Sequence, residues 1–141
     1  MEPLALDDLP EQALLVVDSA PIIYVLEGHV SLAKRFEPVF AAHAAGRVHL
    51  AVTTITIAEV LTAPLSAGEE TLAKRYRTVL ESWQVLDLTA EIAETAARLR
   101  ATLGLRLADA VQAASAVAVN AFALVTHDRD FSRVSSLRVI A

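Results

Sequence analysis

Five short, mostly apolar runs, separated by longer stretches with helical spacing, constrain this chain more than any other feature. They are Ala13–Val17 (ALLVV), 48–52, 85–88, 122–125 and 137–140. Each is too short for a buried helix and shows little of the alternation expected of a strand with one wet face. Runs of this kind read as strands covered on both sides. Pro21 opens a short helix over 22–27, with Gly28 as its stop. Leu32, Phe36, Val39, Phe40 and His43 follow at helical spacing up to Gly46, and Pro38 is expected to kink or divide that helix. After the second run, 53–56 turns into a helix that Pro64 is expected to stop near Ala63. Further helices are read over 69–82, over 91–103 with Gly104 as cap, and over 107–119 before Asn120. Strands alternating with helices predict an α/β domain with a parallel sheet and right-handed crossovers.

A length of 141 residues fits one domain, 1–141. With 55% hydrophobic but only 5% aromatic residues, the core must be built of Ala, Val, Leu and Ile. The net charge of −5 argues against a broad basic face for nucleic acid. It leaves room for an enzyme that grips nucleic acid through metal ions in an acidic pocket, because the ions reverse the local charge. The chain has no cysteine, which excludes disulfides, thiolate nucleophiles and zinc–thiolate sites. The start, MEPLALDDLPEQA, lacks the basic and apolar regions of a signal peptide. The apolar stretch 107–125 is broken by Asp109, Gln112 and Asn120, so a buried helix and strand explain it better than a membrane span. The expected location is the cytoplasm.

The topology sorts the acids. In a parallel α/β sheet all strands end at one edge, and ligands bind in the crevice there. Asp18 ends the first run, Glu59 lies early in the helix after the second, and Asp109 opens the helix that feeds the fourth. Asp128 and Asp130, in THDRDF, follow the fourth run. All five map to the carboxyl edge, as do Asp87 and Glu91. Asp18, Glu59 and Asp109 sit in apolar frames (VVDSAP, TIAEVL, RLADAV) with little cationic company: Glu59 has none at helical spacing, and Asp109 has Arg106 alone. Acids gathered this way repel unless a divalent metal joins them. Mg²⁺ and Mn²⁺ prefer such oxygen donors. Blander roles stand beside this one. Thr56 to Glu59 matches a capping box. Asp109 can complement its helix dipole or share a polar stripe with Gln112 and Ser115. Asp18 can cap a helix, and Asp128 and Asp130 can form a turn. The four histidines lack ligand spacing. No dinucleotide or phosphate loop, HExxH or GxSxG motif occurs, and Ser19 has no visible histidine partner to make it a nucleophile.

The ordered set VVDSAPIIYVLEG, TTITIAEVLTAP, LRLADAVQAASA and ALVTHDRDF resembles PIN-domain ribonucleases, most closely the VapC-type toxins of bacterial toxin–antitoxin pairs. The resemblance spans about 14–140. It implies a three-layer α/β/α domain with a five-stranded parallel sheet of order 3-2-1-4-5. It implies Asp18, Glu59, Asp109 and Asp128 as the catalytic acids, Asp130 as an additional acid and Thr126 as a supporting hydroxyl. Asp18, Asp109 and Asp128, with Asp130, would bind Mg²⁺ or Mn²⁺. The chain departs from many relatives at Ala20, where a second hydroxyl is common, and at His127, where Asn or Arg is common.

The implied activity is metal-dependent hydrolysis of RNA phosphodiester bonds. Arg106, Arg129 and Arg133 lie near the edge in sequence and are candidates for phosphate contact. The implied partners are a cognate antitoxin, in a toxin–antitoxin hetero-oligomer, and a second copy of the chain. An alternative is a catalytically silent binding module whose acidic cleft receives a basic partner peptide. A receiver-like phosphoacceptor domain fits less well, because no acid pair follows the first strand and no lysine ends the fifth.

Overall fold

The computed structural model describes residues 2–141. Its sheet has five parallel strands: β1 (Ala13–Val17), β2 (Val48–Thr53), β3 (Gln84–Leu86), β4 (Ala123–Val125) and β5 (Val139–Ile140). They lie in the order β3-β2-β1-β4-β5, as the resemblance implied. The helices are α1 (Ser19–Leu26), α2 (Leu32–Ala44), α3 (Thr54–Ser66), α4 (Glu70–Glu81), α5 (Ala90–Leu103) and α6 (Leu107–Ala118).

Strand periodicity divides the core into two halves. Leu15 and Val17 of β1, with Leu50 and Val52 of β2, face one cluster that includes Ile22, Phe36, Val60 and Leu80 from α1 to α4. Val16 and Ala51 point the other way, into a cluster with Ile92, Ala96, Ala110, Ala113 and Phe131. Successive side chains of a strand leave on opposite faces, so five residues of β1 serve both halves. The second half is alanine-rich, and small side chains let α6 lie close against the sheet.

Four readings of the prolines and caps need correction. α1 begins directly after Asp18 rather than at Pro21, and Pro21 sits in its first turn. The amides there have no partner inside the helix, so a missing N–H costs little. α2 runs unbroken through Pro38. α3 continues past Pro64 to Ser66, so the proline falls in its last turn instead of ending it. The capping-box reading of Thr56 and Glu59 also fails. The cap is Thr53, whose hydroxyl accepts from the Thr56 amide at 3.2 Å. Glu59 is therefore free of any duty at the helix start. Gly104 closes α5 in the left-handed conformation (φ 69°), which a glycine adopts without a Cβ clash, and reverses the chain into α6. No described helix is long and apolar enough to cross a membrane.

Candidate active site

The sheet order reverses between β1 and β4, which pair through Val17 and Val125. The crevice of a doubly wound sheet opens at such a reversal. Asp18 and Thr126 are the next residues on these strands. The Asp18 amide donates to the Val125 carbonyl at 2.8 Å, so the ladder continues to the base of the crevice.

Asp18 is held from three sides. Its Oδ1 accepts from the Ser19 amide and from Gln112 Nε2, each at 2.9 Å, and its Oδ2 accepts from Thr126 Oγ1 at 2.8 Å. Three donors on two oxygens fix its rotamer. Asp18 thus caps α1, as one bland reading had it, and occupies the crevice as well. Thr126 is fully buried, and it also accepts from the Asp128 amide at 3.0 Å. One hydroxyl therefore ties Asp18 to the segment that carries Asp128.

Glu59, one and a half turns into α3, is exposed although its sequence frame is apolar. Its Oε1 accepts from the Ser19 hydroxyl at 2.6 Å, which tethers it toward Asp18. Asp109, in the first turn of α6, is partly buried. Burial, and then the negative charge of Asp18, raise its pKa above the ordinary 3.8. Arg106 opposes this, and Asp128 and Glu59 add to the rise. Asp109 therefore feels the other three acids as one field. Arg106 Nε stands 3.8 Å from Asp109 Oδ2, but its side chain is 88% exposed, so the pair is weak compensation.

Asp128 Oδ1 accepts from the Asp130 amide at 2.9 Å and caps a 3₁₀ turn, Arg129–Arg133, that the sequence did not announce. Asp130 is exposed, and it is absent from the charges acting on Asp109. The structure thus gathers Asp18, Glu59, Asp109 and Asp128 and leaves Asp130 at the rim. Among the described residues, no three Asp, Glu or His side chains converge closely enough to share one ion. The donor chemistry nevertheless fits a divalent cation: Asp109 bears the negative charge of three other carboxylates, the donors are all oxygen, and Arg106 beside Asp109 is exposed. His127 lies to the side, with Nδ1 2.9 Å from the Tyr24 hydroxyl and the two rings edge to face. Asp87, just after β3, is exposed, and nothing links it to the cluster.

Sequence reading missed Ser19 and Gln112 as parts of this arrangement. The signal for Gln112 was present: LADAVQAAS is almost wholly apolar, and Asp109 and Gln112 stand three residues apart on one face of the helix.

The raised pKa of Asp109 has a consequence for stability. A carboxyl whose folded pKa lies above its unfolded value favours folding only while protonated, and that advantage disappears as pH rises through the folded value. Without metal, Asp109→Asn should therefore unfold at a higher temperature than wild type at neutral pH, by roughly 1–3 °C. The gap should open as pH rises from about 4 to 7, and thermal melts in chelator at several pH values will measure it. A gap independent of pH would refute the assignment of strain to this carboxylate.

A search of curated proteins finds no match. Solved structures do match. VapBC2 from Rickettsia felis, bound to a DNA fragment from its promoter, aligns with TM-score 0.73 at 20% identity, over 90% of this chain and 97% of that one. A toxin–antitoxin complex from Klebsiella pneumoniae aligns with TM-score 0.71 at 23% identity, over 90% and 96%. Mycobacterium tuberculosis VapC20, a sarcin–ricin loop cleaving toxin, aligns with TM-score 0.69 at 16% identity, over 88% and 98%. At these identities the likeness establishes the shared fold. The model of the PIN domain matches residues 15–137. These span the sheet from Leu15 of β1 nearly to β5 and carry all five candidate acids, so the chain belongs to the PIN domain family.

Proposed function

We propose that this chain is a metal-dependent endoribonuclease and the toxin of a toxin–antitoxin pair. The observation that carries the reading is the gathering of Asp18, Glu59, Asp109 and Asp128 at the β1–β4 reversal of a PIN fold, with Ser19 tying Glu59 and Thr126 tying the Asp128 segment to the end of β1. The neighbours support the second half: two come from toxin–antitoxin assemblies, and a third is a sarcin–ricin loop cleaving toxin. In this reading Asp18, Asp109 and Asp128 would hold one or two Mg²⁺ or Mn²⁺ ions, and Glu59 and Asp130 would act through water or complete a second site. When bound, such an ion would supply Lewis acidity toward water and toward the phosphoryl group.

The chain's own residues supply the placement. Thr126 holds Asp18 Oδ2 toward the crevice, and Ser19 holds Glu59. Arg129 is exposed one residue after Asp128, where it can meet a neighbouring phosphate without neutralising the acids. Arg133 instead donates to the Leu103 carbonyl and braces the 3₁₀ turn against the end of α5. The toxin would act in the cytoplasm as a homodimer. Its antitoxin would cover the acidic edge with a basic side chain in place of metal.

The test is cleavage of a broad RNA pool by the purified, partner-free chain. Cleavage is expected with Mg²⁺ or Mn²⁺ and none in chelator. Failure to cut with either ion would favour the silent module whose acidic cleft takes up a basic peptide. Cleavage that persists in chelator would overturn the metal mechanism.

A further inference from the structure

Gln112 is a large polar side chain in the wall of the crevice, only 1% exposed, and the activity proposed above assigns it no role. Burying an amide demands partners, and Gln112 has three. Its Nε2 donates to Asp18 Oδ1 at 2.9 Å and to Thr56 Oγ1 at 2.7 Å, and its Oε1 accepts from Thr53 Oγ1 at 2.6 Å. The orientation follows from chemistry. An ionised carboxylate only accepts, so the NH₂ end must face Asp18. Thr53 in turn accepts from the Thr56 amide, so its proton is free for Gln112. The network joins the end of β1, the start of α3 and the second turn of α6 through one amide. Ser115, one turn further along α6, is buried without a hydrogen-bond partner, so burial on this helix does not by itself produce such a network.

We propose that Gln112 is a positioning residue for Asp18, fixing the carboxylate so that Oδ2 is presented to a divalent cation. The inference rests on the metal-site reading above. With Oδ1 occupied by the Ser19 amide and Gln112, the oxygen left with outward capacity is Oδ2, steered by Thr126. Without Gln112 the carboxylate loses one of its three donors and gains freedom to rotate. Partners that orient a ligand commonly contribute 10- to 100-fold, roughly, to metal affinity.

The experiment measures Mn²⁺ affinity by calorimetry on the purified full chain. Gln112→Met keeps the volume and removes the amide. Gln112→Asn keeps an amide that is too short to span its partners. Both are expected to bind Mn²⁺ about 10- to 100-fold more weakly than wild type. A purely structural role would lower the melting temperature and leave the affinity of the folded protein unchanged. Affinity within about twofold of wild type in either folded variant therefore overturns the proposal. A readout on the wild type covers failure to fold: the Gln112 side-chain amide signals should shift when Mg²⁺ is added, and their indifference would also overturn it. If wild type itself binds no Mn²⁺, the metal-site reading falls rather than the role of Gln112 alone.

Discussion

Asp18→Asn is expected to abolish RNA cleavage and leave the fold in place. The substitution is nearly isosteric, and asparagine caps helices as well as aspartate does, so α1 keeps the acceptor for its Ser19 amide. The charge is lost. Asp18 stands at the β1–β4 reversal, and its carboxylate is the one that acts most strongly on Asp109. In the proposed mechanism it is one of three anions offsetting a divalent ion. Loss of such a ligand removes several kcal/mol of transition-state stabilisation, on the order of a 10³-fold fall in kcat/KM. Stability should change little, because two effects oppose. The bond donated by Thr126 Oγ1 is lost, because the amide nitrogen that replaces Oδ2 cannot accept it, and the repulsion on Asp109 is relieved. The measurements are RNA cleavage under substrate-limited conditions and a thermal melt of the same preparation. Cleavage within tenfold of wild type, from a folded variant, would remove Asp18 from the catalytic set.

How much of this was legible in the sequence differs by element. The strands and their class were, because unbroken apolar runs such as ALLVV have few alternatives in a chain this size. The edge that gathers Asp18, Asp109 and Asp128 followed from the same topology. The end of α3 is not legible from Pro64, because a proline in the last turn forfeits a single hydrogen bond and need not stop the helix. Its start was misread because Thr53 and Thr56 are both good caps, and only the path of β2 decides between them. Gln112 was visible as an intrusion in an apolar helix, but its partners are 56, 59 and 94 residues away. No local pattern encodes contacts of that range. Glu59 shows the opposite limit: its frame TIAEVL is apolar, yet the residue is exposed, because helical spacing fixes a face and not a depth.

The other large effect is expected where no chemistry occurs. Phe131→Ala should destabilise the fold by about 3–5 kcal/mol, against a typical total of roughly 5–15. Phe131 is 1% exposed and is among the largest fully buried side chains. It comes from a short 3₁₀ turn, which has little hydrogen bonding of its own to hold it. That turn is kept on the domain by Phe131 and Val134, both sunk into the cluster under α5 and α6, and by the bond from Arg133 to the Leu103 carbonyl. Asp128 lies three residues before Phe131, and its placement depends on this anchor as much as on Thr126. Truncating the ring leaves a cavity that neighbouring alanines are too small to fill. The loss should therefore begin locally. Hydrogen exchange at the Asp130 and Val134 amides should speed up before the sheet amides do, and cleavage should fall at temperatures well below the melt. Phe131→Leu, which refills most of the space, should lose roughly 1–2 kcal/mol and keep most of the activity. Urea titration of both variants separates the outcomes. If Phe131→Ala unfolds within about 1 kcal/mol of wild type, the turn is held by its backbone and Arg133, and the aromatic residue of THDRDF is not its anchor.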